Sequence, residues 1–225
     1  MNGKLYGVGV GPGDPELMTL KAVKVIKNCD IVVVPGAVAK ETVAYKIALG
    51  ACPFLPEKEI VPIHMPMTKD SKLRAESHQN ATQVVEDLLL QGKSVAFLTL
   101  GDPTIYSTYI YVHNRIVNKG YQAEIINGIP SFCAVSAKMN IGLVEKEEML
   151  HVIPASYEID EALEFHGTKV LMKAASKMKD VREKIKEKNQ EAVMVENCGM
   201  PNEKIYHSTD EIPDKSSYYS LIIIK

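Results

Sequence analysis

The stretch Leu5-Tyr6-Gly7-Val8-Gly9-Val10-Gly11-Pro12-Gly13-Asp14-Pro15 decides the fold. It starts as an extended apolar run and ends in glycine and proline, so a strand runs directly into a tight turn. Apolar residues at helical spacing follow over 17–28, with Thr19 near the start of that helix. Next comes Ile31-Val32-Val33-Val34, fully apolar and stopped by Pro35-Gly36, the pattern of a strand covered on both faces. Strand, turn, helix and buried strand in that order make a βαβ unit and predict an α/β protein.

The alternation continues outward from this unit. Residues 41–49 read as a helix. The segment 52–66 carries prolines at 53, 56, 62 and 66 and must be loop or edge structure. A long helix over 71–91 ends at Gly92 as a C-terminal cap. A second buried strand, 94–100, leads into Gly101-Asp102-Pro103. A helix over 109–118 and a strand over 122–126 run on to Gly128. Further strands are expected at 148–154, 169–173, 192–196 and 218–224, with helices at 130–139 and 178–188. The charge run of the 178–188 helix reads as a solvated outer face, with a ligand patch as the alternative. The chain divides most naturally near 118–124, into an N-terminal α/β lobe over 1–120 and a C-terminal α/β lobe over 121–225.

Composition narrows the function classes. The 225 residues are 46% hydrophobic and 24% charged, as in an ordinary globular protein. A net charge of −2 gives no global attraction to nucleic acid or to an acidic membrane, so an anionic ligand must meet a local basic patch. No run of about 18 apolar residues predicts a membrane span, and the N-terminus lacks the pattern of a signal peptide. Cys29, Cys52, Cys133 and Cys198 are scattered with no CxxC pair, which predicts reduced thiols in a cytoplasmic protein. His78, His113, His151, His166 and His207 show no metal-ligand spacing, and no bound metal is expected.

Four strand-terminal loops contain glycine. In the first, a GxGxxG frame set on Gly7 ends on Pro12, and one set on Gly9 ends on Asp14. Proline has no N–H, so this turn is a poor pyrophosphate cradle. No Gly-Lys-Ser/Thr follows, so it is not a Walker A loop either. It reads as a tight strand-to-helix connection or as part of some other ligand site. In the second, Leu100-Gly101-Asp102-Pro103-Thr104-Ile105-Tyr106-Ser107-Thr108, Asp102 serves either turn chemistry or a ligand's ammonium or ribose. In the third, Asn127-Gly128-Ile129-Pro130-Ser131-Phe132, Ser131 is a helix cap or a ligand contact. The fourth is Glu196-Asn197-Cys198-Gly199-Met200-Pro201. Together the four predict a cleft.

Read together, these segments resemble the tetrapyrrole methyltransferase family, which methylates precorrins, cobalt-factors and uroporphyrinogen III. The matching residues are Val8 to Pro15 with Leu17-Met18-Thr19-Leu20, then Gly101-Asp102-Pro103, Gly128-Ile129-Pro130-Ser131 and Val195-Glu196-Asn197. Within the family the chain is most similar to the C20-methyltransferases of precorrin-2 and cobalt-factor II. That similarity rests on Val34-Pro35-Gly36, Pro66-Met67-Thr68-Lys69-Asp70, the run from Gly101 to Tyr109, and Ser131-Phe132-Cys133-Ala134.

The resemblance implies a two-lobed fold, paired as a homodimer, with S-adenosylmethionine in the cleft between the lobes and S-adenosylhomocysteine as its product. It implies cofactor contacts at Pro12, Leu100, Gly101, Asp102, Ile105, Ser131, Phe132, Met172, Lys173, Asn197 and Cys198. The uroporphyrinogen enzymes carry an aspartate after the second strand, where this chain has Pro35; that difference points away from uroporphyrinogen as substrate.

A sulfonium methyl is already activated, so the enzyme's main task is alignment of a nucleophilic carbon with it. Polar groups beside the ring nitrogens can stabilise the electron-donating state of the macrocycle. Tyr106, Tyr109 and His64 are the catalytic candidates, and each tyrosine has an alternative role in packing. Lys69, Lys72, Arg74, Tyr111 and Arg115 are the substrate-binding candidates, because the substrate is a polycarboxylate; solvated surface charge is the alternative for each lysine. Neither nucleic acid nor membrane is expected as a partner. Two other readings remain open: methylation at a different carbon by another member of the family, and a non-catalytic cofactor-binding module. Ribosomal-RNA and diphthine-forming methyltransferases share the fold, but the absence of a basic excess counts against RNA.

Overall fold

The computed structural model describes residues 2–66, 68, 70–156 and 158–225, with only the backbone of Ser176. The chain forms two compact units, Met1–Pro130 and Ser131–Lys225.

The first unit contains β1 (Lys4–Gly9), α1 (Leu20–Asn28), β2 (Ile31–Pro35), α2 (Val43–Ala51), β3 (Glu59–Ile63), α3 (Ser71–Leu90), β4 (Val95–Thr99), α4 (Tyr109–Asn118) and β5 (Gln122–Ile126). Its strands are all parallel, in the order β3-β2-β4-β1-β5. Alternate strand residues serve opposite faces. Leu5, Ile31, Val33, Val95 and Phe97 meet Ala81, Val85 and Leu89 of α3 and Val112 and Ile116 of α4. Val8, Val32, Val34, Ala96 and Leu98 meet Ala22 and Ile26 of α1 and Ala44, Ile47 and Ala48 of α2. Helices cover both faces, which is why the central strands β2 and β4 read as nearly unbroken apolar runs.

Local chemistry sets the boundaries. Thr19 is the N-cap of α1, its hydroxyl accepting the Ala22 amide at 3.1 Å; the turn before it, Pro15–Leu17, is a separate 3-10 helix. Gly92, just past α3, has φ of 77°, and its amide reaches Leu89 O at 3.0 Å, a glycine C-terminal stop. The proline-rich 52–66 segment yields the edge strand β3, which pairs only with β2, so Pro62 is tolerated within it. Gly7 is required by its neighbour: a Cβ there would lie 2.0 Å from Tyr109 Cε1.

The second unit contains α5 (Ser131–Met139), β6 (Leu150–Pro154), α6 (Asp160–Leu163), β7 (Thr168–Met172), α7 (Met178–Glu187), β8 (Ala192–Glu196), β9 (Lys204–Tyr206) and β10 (Ser220–Ile224). The sheet order is β6-β7-β10-β8-β9, with β6 parallel to β7 and the other pairs antiparallel. Its core joins Met178, Val181 and Ile185 of α7 to Leu171, Met194, Ile222 and Ile224 of the sheet. The opposite side of α7 is charged: Lys184 pairs with Asp160 at 2.7 Å, as a solvated face does. The sequence pattern did not indicate α6 and β9, of four and three residues.

Candidate active site

In the first unit the chain leaves β1 toward β2 through α1, and leaves β4 toward β5 through α4. These neighbouring strands therefore send their helices to opposite faces. The crevice that opens at such a switch point, at the C-terminal ends of the strands, is where open α/β sheets hold ligands.

The loops that follow β1 and β4 meet there. Gly101 N donates to Gly11 O at 2.8 Å, and Gly11 N to Gly101 O at 3.2 Å. The loop after β5 packs onto both. A Cβ on Gly9 would lie 2.5 Å from Gly128 N and 2.7 Å from Gly101 O, and a Cβ on Gly128 would lie 2.1 Å from Gly101 O. Three glycines, one from each loop, thus bring three backbones into contact that no side chain would permit. The first loop is neither a dinucleotide fingerprint nor merely a short connection; its glycine makes room for its neighbours.

Asp102 holds the arrangement closed. It is 5% exposed. Its Oδ1 accepts from the Thr104 amide at 2.7 Å and from the Thr104 hydroxyl. Its Oδ2 accepts from the Gly128 amide at 3.0 Å and from Asn127 Nδ2 at 3.2 Å. Burial pushes the carboxyl pKa up, but the bonds from Thr104, Asn127 and Gly128 outweigh it and leave the pKa below its ordinary value. Thr19 adds a further tie, its hydroxyl donating to Asn127 O at 3.3 Å. Pro12 is buried, and Leu100 and Ile105 are half-buried. A Cβ on Gly101 would meet only Ile129 O, at 3.9 Å, so the main chain there is open on one side.

Tyr106 stands in the same loop, 47% exposed, with φ of 47°. The left-handed region is costly for a tyrosine, and such residues persist where the surroundings fix them. Here Ser107 supplies the fixing: its hydroxyl lies 2.9 Å from Thr99 Oγ1 and accepts the Tyr109 amide at 3.1 Å. Tyr109 is fully buried, with its hydroxyl 2.9 Å from His113 Nδ1, and burial pushes its pKa well up. This geometry fits the packing role among the two its sequence left open.

Of the remaining first-unit candidates, His64, Lys72, Arg74 and Tyr111 lie toward the same edge, whereas Arg115 is in the last turn of α4. In a parallel sheet, α3 and α4 run against the strands, so their N-terminal turns lie at the strands' C-terminal ends. There Tyr111 stacks on His78, with ring centroids 4.7 Å apart. His64, just past β3, is exposed, and its carbonyl accepts Ser77 Oγ at 3.2 Å. Lys72 and Arg74 are exposed on α3, and Arg115 is half-buried on α4. Lys69 lies outside the described residues.

In the second unit, β7 and β8 both run against β10, so their C-terminal ends flank its beginning. Met172 pairs with Leu221, and Glu196 with Ser220. Met172-Lys173 and Asn197-Cys198 thereby share one edge. Lys173 and Asn197 both adopt positive φ, 61° and 55°, and burial pushes the Lys173 pKa down. Asn197 is buried; its amide donates to Tyr219 O at 2.9 Å, and its Oδ1 accepts Ser217 Oγ at 2.7 Å. Glu196, also buried, accepts the Ser217 amide at 2.7 Å. Sequence reasoning missed Ser217 and Tyr219, whose only signal is their place immediately before the last strand. Ser131 is the first residue of α5 and Phe132 is buried; α5 packs on β10.

Among the described residues, no group of three or more His, Cys, Asp or Glu is placed to hold a metal ion, and no helix is long and apolar enough to cross a membrane. None of the four cysteines forms a disulfide.

Residues 4–212 match the family model described as tetrapyrrole (corrin/porphyrin) methylases. The chain is 36% identical to a probable cobalt-precorrin-2 C(20)-methyltransferase of Methanocaldococcus jannaschii, over 99% of this chain and 96% of that protein. It is 29% identical to the cobalt-precorrin-2 C(20)-methyltransferase of Salmonella typhimurium, over 100% and 97%. Among solved structures, it superposes with a TM-score of 0.73 and 19% identity on a uroporphyrin-III C-methyltransferase from Thermus thermophilus complexed with S-adenyl homocysteine, covering 99% of this chain and 97% of that one. That likeness shows the two-unit α/β fold.

Proposed function

The chain belongs to the tetrapyrrole (corrin/porphyrin) methylase family, and from that premise we propose that it methylates C20 of precorrin-2, or of the cobalt-containing counterpart for which its relatives are named, with S-adenosylmethionine as donor. The observation that carries this reading is the similarity along 99% of the chain to a relative named for that reaction. The end of β2 agrees with it. Pro35 stands where the uroporphyrinogen enzymes place an aspartate, and proline can neither accept a proton nor pair with a ring nitrogen.

The residues present fit such a donor. The crevice beside Gly101 offers open main chain, and Lys173 and Asn197 hold the turns after β7 and β8 in left-handed form. In this reading Pro12, Leu100, Gly101 and Ile105 meet the donor chiefly through backbone atoms, and Asp102 fixes the loop that presents them. Ser131, Phe132, Met172, Lys173, Asn197 and Cys198 supply its other contacts. S-adenosylmethionine brings a sulfonium-activated methyl group. The protein's part is to hold the meso carbon in line with it, at about 3–3.5 Å. In this reading Tyr106 and His64 stabilise the electron-donating state of the ring, and Lys69, Lys72, Arg74, Tyr111 and Arg115 bind its periphery. A cytoplasmic homodimer closed by two-fold symmetry goes with this reading.

Incubation with methyl-labelled donor and carbon NMR of the product tests it. Label at C20 of precorrin-2 or its cobalt form is expected, with uroporphyrinogen III left untouched. Label on a ring carbon, or efficient use of uroporphyrinogen III, overturns it.

A further inference from the structure

The chain has three arginines, Arg74, Arg115 and Arg182. Arg182 is bound to its own unit, pairing with Asp214 at 2.6 Å and donating to Ile212 O at 2.7 Å. The other two flank the α3–α4 seam, Arg74 in the first turn of α3 and Arg115 in the last turn of α4. Among the described residues neither takes part in an ion pair. The acids flanking Arg74 in sequence are Asp70 and Glu76: Asp70 caps α3, its Oδ1 accepting the Lys72 and Leu73 amides at 2.8 and 3.1 Å, and Glu76 is exposed.

Between the arginines lies an aromatic stack. His78, one turn after Arg74, is 7% exposed and lies nearly parallel to Tyr111, with 15° between the rings. Tyr111, one turn before Arg115, remains 53% exposed. Burial lowers the His78 pKa, and the charges of Arg115 and Arg74 lower it further. Both guanidinium groups therefore act on one imidazole, and among the described residues neither is paired with a carboxylate.

In a chain of net charge −2 such a pair is a local exception. Keeping two cations near a buried ring costs Coulomb energy that an anion would recover. Guanidinium is planar and matches a carboxylate with two parallel hydrogen bonds, which an ammonium cannot do. The flat stack between the arginines gives a carboxylate-bearing ring an apolar surface to lie against.

We propose that Arg74 and Arg115, with Tyr111 stacked on His78 between them, form the docking site for a carboxylate side chain of the substrate macrocycle. The ligand's identity as a tetrapyrrole rests on the function proposed above; the anion site itself does not. His78 is a positioning residue here, holding Tyr111 flat beneath the ligand.

The test separates the two ideas by measuring binding and turnover independently. Uroporphyrin, a stable polycarboxylate macrocycle, is titrated into the intact protein and followed by its fluorescence. The double variant R74Q/R115Q is expected to bind it roughly tenfold or more weakly, the loss of one charge-assisted pair at the least. Affinity for S-adenosylhomocysteine should stay unchanged, which also shows that the variant is folded. Arg74→Lys with Arg115→Lys keeps the charge and should recover only part of the affinity, because the fork is lost. Lys179→Gln, on the solvated side of α7, should leave binding as it is. Wild-type affinity in R74Q/R115Q overturns the proposal, and so does a wild type that binds no uroporphyrin. Failure to methylate either precorrin-2 or its cobalt form, with uroporphyrin binding intact, overturns the C20 reading alone.

Discussion

The Gly128 amide donates to Asp102 Oδ2 at 3.0 Å, across 26 positions of chain, and this bond closes the third glycine loop onto the second. The same carboxylate takes the Thr104 amide at 2.7 Å, so one side chain holds both loops. An acid in a ligand loop invites assignment as a ligand contact. Here its oxygens are already bound to protein donors, and its effect on a ligand passes through the shape of the crevice.

Asp102→Ala strands several buried donors at once and should lower unfolding free energy by about 3 kcal/mol, with weaker binding of S-adenosylhomocysteine. The pH dependence has a definite sign. The folded pKa is depressed, so the group's stabilisation is present above the reference value of 3.8 and is lost as pH falls through the lower folded value. Melting curves from neutral pH downward should fall more steeply below pH 3.8 for the wild type than for Asp102→Asn. Parallel curves would remove the ionised carboxylate from this role.

The glycine contact makes a second prediction. A methyl on Gly9 meets backbone at 2.5 Å, which no side-chain adjustment relieves. Gly9→Ala should cost about 2 kcal/mol or more and weaken donor binding, because the loops must separate. Gly142→Ala is the control, since nothing lies within 4 Å of its added methyl; it should change stability by less than about 0.5 kcal/mol. Calorimetry of the two variants decides, and equal stabilities would contradict the close-packing role.

These features differ in how far the sequence shows them. The runs 31–34 and 95–98 declare strands because burial on both sides leaves no polar residue to blur the period. The edge strand β3 is harder to see, since Pro53, Pro56 and Pro62 carry loop signals and only sheet pairing turns 59–63 into a strand. β9 has three residues, too few for any period to register. At the site, the loops are legible because glycine and proline punctuate them. What Gly9, Gly101 and Gly128 do for one another is not, because their contact joins three segments far apart in sequence and arises only from the strand order β4-β1-β5. The same holds for His78, which has no metal spacing or motif to mark it and gains its meaning from Tyr111 on the next helix.

Tyr109 offers a third test. Its ring fills the space left by Gly7, and its hydroxyl meets His113 in the interior. Tyr109→Phe should lower stability by about 1 kcal/mol through the lost hydrogen bond. Turnover measured at saturating substrate should stay within about twofold of wild type, less than a catalytic proton-transfer group contributes. A hundredfold fall in kcat with stability intact would restore Tyr109 as a catalytic group.

Tyr106 is the opposite case, and two substitutions separate its roles. It is 47% exposed and held at φ of 47°, a conformation that costs a side-chain-bearing residue about 1–2 kcal/mol and costs glycine nothing. Glycine also loosens the unfolded chain, which offsets about 0.4–1 kcal/mol of that gain. Tyr106→Gly should therefore be as stable as the wild type or up to about 1 kcal/mol more so. Its kcat should nevertheless fall if the loop holds the strain in order to aim this ring. Tyr106→Phe keeps the ring and the backbone but deletes the hydroxyl. Where the hydroxyl stabilises the electron-donating macrocycle, kcat falls by about tenfold or more while KM moves little. Where the ring serves only as a surface for the substrate, Tyr106→Phe behaves as wild type and Tyr106→Gly raises KM. Thermal melts and steady-state kinetics on both variants distinguish these outcomes. A Tyr106→Gly enzyme with wild-type kcat and KM would show that the tyrosine has no part in the reaction.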